Sequence, residues 1–131
     1  MKYFTLKELT RSATAEAKGI DNTPTPEVEK NLTLLVENVL DPLRKLFGKP
    51  ITVNSGYRCP ELNKAVGGSK TSDHVKGFAA DITGGSKEEN ERLFYLIKYN
   101  FNFKQLIDEK NFSWVHVSYD PSNLKNQILN L

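Results

Sequence analysis

Apolar residues recur every three or four positions between Pro26 and Gly48, which predicts a long helix with one face in the core. The stripe consists of Val28, Leu32, Leu35, Val39, Leu43 and Leu46. Thr25 has a residue type that favours a helix start at the following proline. Pro42 predicts a kink or a restart, which Asp41 could cap.

Short segments with strand-like alternation follow this helix. They cover residues 51–54, 78–83, 104–109 and 114–119. Ser86 and Glu89 form a capping box that predicts a second long helix between the second and third strands. Shorter helical segments are predicted at Leu6–Ser12 and Pro60–Val66, with a polar linker after the first. Helices before and between short strands indicate an α+β domain with a small, mostly antiparallel sheet.

Length and composition limit the classes of protein that fit. The chain has 131 residues, which is enough for one domain with a core and too few for two. Its net charge of +2 comes from interspersed residues, so nothing favours nucleic acid as a partner. No apolar run approaches the ~18 residues of a membrane span, and the amino terminus lacks the apolar stretch of a signal peptide. A cytoplasmic protein as synthesised is therefore expected. Cys59 is the single cysteine, which excludes an internal disulfide.

Both histidines of the chain lie in patterns that suit a metal. His74 lies in the segment SDHVKGFAAD at residues 72–81, and His116 lies in the predicted strand WVHVSY at residues 114–119. Two imidazoles and the carboxylate of Asp81 are a ligand set for Zn²⁺, and a fourth position left to water distinguishes a catalytic zinc from a structural one. We expect one zinc ion per chain. Taken singly, each of these residues could instead have a structural role.

Strand parity selects a carboxylate near these ligands. If the neighbours of Asp81 and His116 face the core, both side chains point to the opposite, outer side. A four-residue loop between the last two strands pairs Glu109 with Trp114, two rungs from His116 and on the same face. Asp108 then falls on the core side. A one-residue bulge would reverse this assignment.

The spacing SxHxxGxAxD at residues 72–81, followed by WxH at residues 114–116, resembles the signature of the zinc D-Ala-D-Ala carboxypeptidases, peptidase family M15. The resemblance extends to NSGYRCP at residues 54–60 and is closest to small members from bacteria and prophages. It implies the fold shared with the amino-terminal domain of hedgehog proteins. An N-terminal extension, a core with the motifs and a C-terminal tail are expected at residues 1–25, 26–119 and 120–131.

The resemblance also implies roles for individual residues. The implied zinc ligands are His74, Asp81 and His116. Many members place the general base three residues before the last ligand, where this chain has Ser113, and Glu109 is the best substitute.

Three further residues are expected at the substrate. Arg58 resembles the family arginine that faces a substrate carboxylate, which suits a guanidinium fork, although it could instead form a surface ion pair. Ser72 and Trp114 are also expected to contact substrate, although Ser72 could be only a turn or cap residue and Trp114 only a packing residue.

The implied function is that of a zinc peptidase, a monomer, acting on peptidoglycan stem peptides. The bond cut would be at the D-Ala-D-Ala end or between L-Ala and D-Glu, and the second suits a prophage endolysin that reaches the wall after release. One alternative is a zinc-stabilised, non-catalytic module that binds the cell wall or a protein. Another is a wall-binding or phage structural component.

Overall fold

In the computed structural model, which describes all 131 residues, helices precede and separate the strands of one sheet. The helices are α1 (Leu6–Thr10), α2 (Ala13–Lys18), α3 (Pro26–Leu35), α4 (Asp41–Phe47), α5 (Pro60–Ala65) and α6 (Lys87–Asn100). The strands are β1 (Thr52–Ser55), β2 (Ala79–Thr83), β3 (Gln105–Glu109), β4 (Trp114–Ser118) and β5 (Gln127–Asn130). A π-helical segment, Val36–Leu40, joins α3 to α4, and a 3-10 turn, Asp73–Lys76, precedes β2.

The five strands form one mixed sheet in the order β1-β2-β4-β3-β5. All neighbouring pairs are antiparallel except β3 and β5, which are parallel. The predicted α+β class with a mostly antiparallel sheet is confirmed. The strand pattern missed β5, which lies in the predicted C-terminal tail. Its four residues carry little alternation of their own, and they extend because β3 offers an edge to pair with.

Capping explains where the helices begin. Thr25 accepts a hydrogen bond from the Val28 amide at 3.2 Å, which confirms the predicted start of α3. Ser12 accepts one from the Ala15 amide at 3.1 Å and so starts α2. The prediction of a polar linker directly after Ser12 was therefore wrong, because a capped two-turn helix needs no long apolar stripe.

The predicted restart at Pro42 takes a different form. Proline removes an amide donor and crowds the carbonyl one turn before it, and the helix responds by widening into the π-helical segment. Asp41 does not cap α4; its carboxylate accepts hydrogen bonds from the amides of Lys2 and Tyr3 at 2.6 and 2.9 Å. Leu43, beyond the widened turn, is buried as predicted, but Phe47 is buried where Leu46, 49% exposed, was predicted.

One core lies between the sheet and the helices that cover one of its faces. It includes Leu32, Leu43, Ile82 and Val117, all fully buried. Leu9 in α1 is also fully buried in this core, so the predicted N-terminal extension contributes to its packing. The other face of the sheet carries mostly polar side chains. None of the helices is both long and apolar enough to cross a membrane.

Candidate metal centre

Asp81 and His116 are direct cross-strand neighbours on β2 and β4. Ile82 and Val115, the next pair along the ladder, are fully buried in the core, so Asp81 and His116 point to the opposite face. The Nδ1 atom of His116 lies 2.9 Å from Oδ1 of Asp81. The predicted parity of these two residues is confirmed.

His74 reaches the same point from the 3-10 turn before β2. The turn begins where Ser72 accepts a hydrogen bond from the His74 amide at 3.2 Å, and it ends at Gly77, whose φ of 77° suits glycine. The ring Nδ1 of His74 lies 2.7 Å from the carbonyl oxygen of Gly56. Because a carbonyl only accepts, Nδ1 carries the proton, and Nε2 is left with a free lone pair. That Nε2 atom lies 3.4 Å from Oδ1 of Asp81.

Candidate ligand atoms of His74, Asp81 and His116 all lie within 4.8 Å of one another. Tetrahedral zinc with bonds of about 2.0–2.2 Å needs ligand atoms roughly 3.3–3.6 Å apart, and the distance of 3.4 Å between His74 Nε2 and Asp81 Oδ1 lies in this range. Two imidazole nitrogens and one carboxylate oxygen are also a donor set that zinc accepts in sites with an open fourth position. The three side chains therefore fit one zinc ion.

The Asp81 carboxylate is nearly enclosed, with 13% of its side chain exposed. Burial by itself raises the pKa of Asp81. When the rings of His116 and His74 are protonated, their hydrogen bonds and their positive charge outweigh burial and hold the pKa of Asp81 below its ordinary value. Asp81 therefore stays an anion, which is the form that a metal ligand requires.

The hairpin of β3 and β4 turns its two adjacent carboxylates in opposite directions. The register pairs Glu109 with Trp114 and Ile107 with His116 without a bulge, as predicted. Glu109 lines the cleft that contains the three candidate ligands. Asp108 faces away from it, and its Oδ1 atom accepts a hydrogen bond from the Phe112 amide at 2.6 Å.

That hydrogen bond stabilises the turn between β3 and β4. Residues 110–112 all have positive φ, between 47° and 60°, a conformation that side chains disfavour and that needs support from outside the turn. Asp108 supplies one contact, and buried Asn90 on α6 supplies others by donating to the carbonyls of Phe112 and Ser113. The base role of Glu109 stays a prediction, but the geometry that separates it from Asp108 is confirmed.

Arg58 lies on the wall of the cleft, with 18% of its side chain exposed. Its Nε donates to Ser55 Oγ at 3.0 Å and its Nη1 donates to Asn63 Oδ1 at 3.3 Å. Its Nη2 lies 3.5 Å from Oδ2 of Asp81. The guanidinium is thus held beside a candidate zinc ligand, and its remaining N–H groups are free to bind another partner.

Ser72 and Trp114 also line the cleft. The Ser72 hydroxyl caps the turn that carries His74, which confirms the cap role considered for this residue. The indole N–H of Trp114 is buried and has no hydrogen-bond partner. Neither observation tests a contact with substrate.

The cleft holds about 390 Å³, and all seven predicted site residues line it. Its wall also contains residues that the sequence did not point to: Ser69, Thr71, Asp73, Gln105 and Ile107. Gln105 and Ile107 share the outward face of β3 with Glu109, so strand parity alone could have found them.

A buried ion pair next to His74 was also missed. Lys104 Nζ lies 2.8 Å from Oδ1 of Asp73, and the two side chains are 18% and 6% exposed. The pair joins the turn that carries His74 to the residue just before β3. Asp73 stood inside the recognised motif, but nothing near it in sequence indicated a lysine 31 positions away.

Comparison with known proteins agrees with the geometry of the site. Residues 2–118 match the family model for peptidase M15. The chain belongs to the peptidase M15 family. A relative, the zinc D-Ala-D-Ala carboxypeptidase of Streptomyces albus G, is 36% identical over 85 residues, which make up 64% of this chain. The match covers 32% of that relative, so this M15 member spans about a third of its length.

Family membership confirms the resemblance carried by the histidine motifs. The relative is a zinc protein, and the His-Asp-His group of the M15 member described here fits one zinc ion. The predicted cofactor is therefore confirmed.

Proposed function

We propose that this M15 family member is a zinc peptidase that hydrolyses an amide bond in peptidoglycan stem peptides. The observation that supports the proposal most strongly is the convergence of His74, Asp81 and His116 in one cleft, with Glu109 on the same face of the sheet. A metal site with three protein ligands and a neighbouring carboxylate is the arrangement that metal-assisted hydrolysis requires.

Zinc bound by these three side chains would activate a water molecule near neutral pH and polarise the scissile carbonyl. Glu109 would accept a proton from the attacking water and pass it to the leaving amine. The contact with Gly56 holds His74 in the tautomer that presents Nε2 to the metal. The low pKa of Asp81 keeps its carboxylate ionised for the same purpose.

Arg58 would orient the substrate. Its guanidinium is held by Ser55 and Asn63, so its free N–H groups project from a fixed position and lose little freedom on binding. A carboxylate or carbonyl of the substrate would bind there and set the register of the peptide. Trp114, which also lines the cleft, would form another part of its wall.

The relative from Streptomyces albus G supports D-Ala-D-Ala as the bond that is cut. Hydrolysis between L-Ala and D-Glu is the other outcome that the cleft would allow, and it would suit a prophage endolysin. In either role the protein would act on the cell wall as a monomer, after synthesis in the cytoplasm and release by another factor.

A zinc-stabilised binding module is the second candidate function. It is favoured by Ser113, which stands where many family members have the acid. The Ser113 hydroxyl donates to the Lys110 carbonyl within the hairpin turn and is exposed, so it replaces no catalytic group in the cleft. A module of this kind would bind zinc and stem peptide without turnover.

Digestion of purified peptidoglycan separates the two candidates. The zinc-loaded protein should release peptide fragments whose masses identify the bond, and Glu109→Gln should release far fewer while it retains zinc. A wild-type protein that carries zinc, binds stem peptide and releases nothing would favour the binding module.

A further inference from the structure

A second depression lies beside the cleft, on the other side of the Arg58 side chain. This groove holds about 610 Å³, a size that accommodates several residues of an extended peptide. Strand β1 lines it along its whole length, and α1, the start of α2 and α5 contribute the rest of its lining. Arg58 lines both depressions, so the groove adjoins the cleft at this side chain.

Strand β1 is an edge strand whose outer side faces this groove. It pairs with β2 alone, and no hydrogen bond joins the backbone of residues 52–54 to the amino-terminal helices. The amide of Tyr57, beyond the strand, is the group that donates to the Leu9 carbonyl. An unpaired strand edge offers hydrogen-bonding groups to another extended chain.

The ladder shows which residue of β1 offers its backbone. The Tyr119 amide donates to the carbonyl of Phe78, so Phe78 and every second residue after it on β2 direct their backbone groups toward β4. The residues between them, which include Thr83, direct their backbone groups toward β1. Thr52, the partner of Thr83, faces β2, and Val53 directs its N–H and its carbonyl outward into the groove.

The distance from Val53 to the metal centre is short. Ser55 pairs with Asp81 across β1 and β2, so the end of the groove lies one strand away from a candidate zinc ligand. At about 3.3 Å per residue, Val53 lies about 7 Å further along the strand. A peptide that leaves the cleft past Arg58 would reach Val53 within two or three residues.

We infer that the free edge of β1 is a subsite that binds the peptide substrate beyond the scissile bond, as an added strand paired with Val53. The inference rests on the proposed peptidase function. Its occupant is the flanking peptide because the groove adjoins the cleft at Arg58 and because its polar lining includes Glu8 and Arg11. Main-chain pairing of this kind is a recurrent mode of peptide recognition.

Val53→Pro tests the subsite. Proline removes the outward N–H, and it is tolerated on an edge strand where that group makes no ladder bond. The substrates are synthetic stem peptides built around the bond that the peptidoglycan digestion identifies, a short one and one extended on both sides. Val53→Pro should lower the ratio of kcat/KM for the long peptide to that for the short one about tenfold, mainly through KM.

Ile128→Pro is the matched control at the opposite edge of the sheet. Gln127 donates to the Lys104 carbonyl and Leu131 donates to the Asp108 carbonyl, so the intervening Ile128 directs its N–H away from β3. This variant places the same proline in the same kind of edge position, far from Arg58. It should retain the wild-type ratio between the two peptides.

A second pair of variants covers the case in which Val53→Pro does not fold. Ala13→Trp fills the groove from α2 without touching the ladder, and Ala17→Trp places the same bulk on that helix outside the groove. Only Ala13→Trp should reduce the preference for the long peptide. Hydrogen exchange of the Val53 amide in Glu109→Gln should also slow when the long peptide is added.

The outcomes separate the two proposals. If the wild type cleaves both peptides but its preference survives Val53→Pro and Ala13→Trp, the subsite is overturned and the peptidase function stands. If the wild type cleaves no stem peptide, both proposals fail. A protein that dimerises in solution, and that Val53→Pro converts to a monomer, would show that a second copy of the chain occupies the edge instead.

Discussion

The metal centre has two halves that are held in place by different kinds of contact. Asp81, His116 and Glu109 lie on neighbouring strands, and the sheet ladder sets their spacing and their common face. His74 and Arg58 lie on loops, where backbone and side-chain hydrogen bonds hold them: the His74 ring contacts Gly56, and the Arg58 amide donates to the His74 carbonyl at 3.1 Å.

The difference has consequences for robustness. The side chain of a strand residue keeps its direction as long as the ladder is intact, because several backbone hydrogen bonds together hold the strand in place. A loop residue depends on a few long-range contacts, and the loss of one can move the side chain. We therefore expect substitutions around His74 to weaken zinc binding from a distance, whereas substitutions around His116 should do so only at the ligands.

The largest effect is expected on the strand half, from His116→Ala. Removing one of three protein ligands should abolish zinc binding and peptide hydrolysis together. Part of the folding stability should be lost as well, because metal binding free energy is partly folding free energy. Zinc content by mass spectrometry and thermal unfolding with and without zinc measure these effects. A variant that still bound zinc with wild-type affinity would exclude His116 as a ligand.

The next largest effect is expected on the rate of hydrolysis, and it should distinguish Glu109 from its neighbour Asp108 on β3. Glu109→Gln should retain zinc and lower the rate of hydrolysis by ~10² or more, the usual scale for a lost general base. Asp108→Asn is the matched control, since it makes the same change one residue away on the opposite face. It should leave the rate near wild type and lower the free energy of unfolding by about 1 kcal/mol, because it weakens the contact with Phe112. An inactive Asp108→Asn beside an active Glu109→Gln would contradict the assignment.

A smaller effect is expected on the loop half, from Gly56→Ala. A Cβ at Gly56 would overlap the backbone carbonyl of Leu9, so the loop must move, and with it the Gly56 carbonyl that accepts the hydrogen bond from His74. Loss of such a supporting contact typically weakens metal affinity by about 10–100-fold. Gly19→Ala is the control: its φ of 65° strains the backbone in open space, away from the site. Equal zinc affinities in the two variants would show that the Gly56 contact does not position His74.

The smallest effect on the metal centre, a few-fold loss of zinc affinity, is expected from Lys104→Met. It removes the partner of buried Asp73 and should lower the free energy of unfolding by about 1–3 kcal/mol. Because the pair ties the His74 turn to the start of β3, zinc affinity should also fall a few-fold. Titration with a competing chelator would measure this. Lys98→Met on α6, far from the cleft, is the control and should change neither quantity.

Much of the strand half of the metal centre could be predicted from the sequence, because the faces of its residues depend on neighbours that are close in the chain. Alternation assigned Asp81 and His116 to one face, and the length of one loop set the register that separates Glu109 from Asp108. The start of α3 was predictable for the same reason, since Thr25 caps it within one turn. Each of these inferences uses residues that are close together in the chain.

Other features depended on partners far away in the chain. The pattern could not show that β5 pairs with β3 or that the carboxylate of Asp41 is taken by the amides of Lys2 and Tyr3. It also could not show that the helix would widen before Pro42, or that Phe47 would be buried in place of Leu46. A helix can absorb proline by kinking or by widening, and the packing around it selects between them.

The sequence by itself determined the residue types of the candidate metal ligands, the class of the fold and the face on which the strand residues lie, because periodicity and motif spacing are properties of the chain. Only the tertiary structure decided that His74 turns Nε2 to Asp81, that Arg58 is held beside it, and that Lys104 reaches Asp73. It also decided that the edge of β1 is open beside the cleft. These features are contacts between residues distant in sequence, and they exist only once the core has brought the loops and strands together.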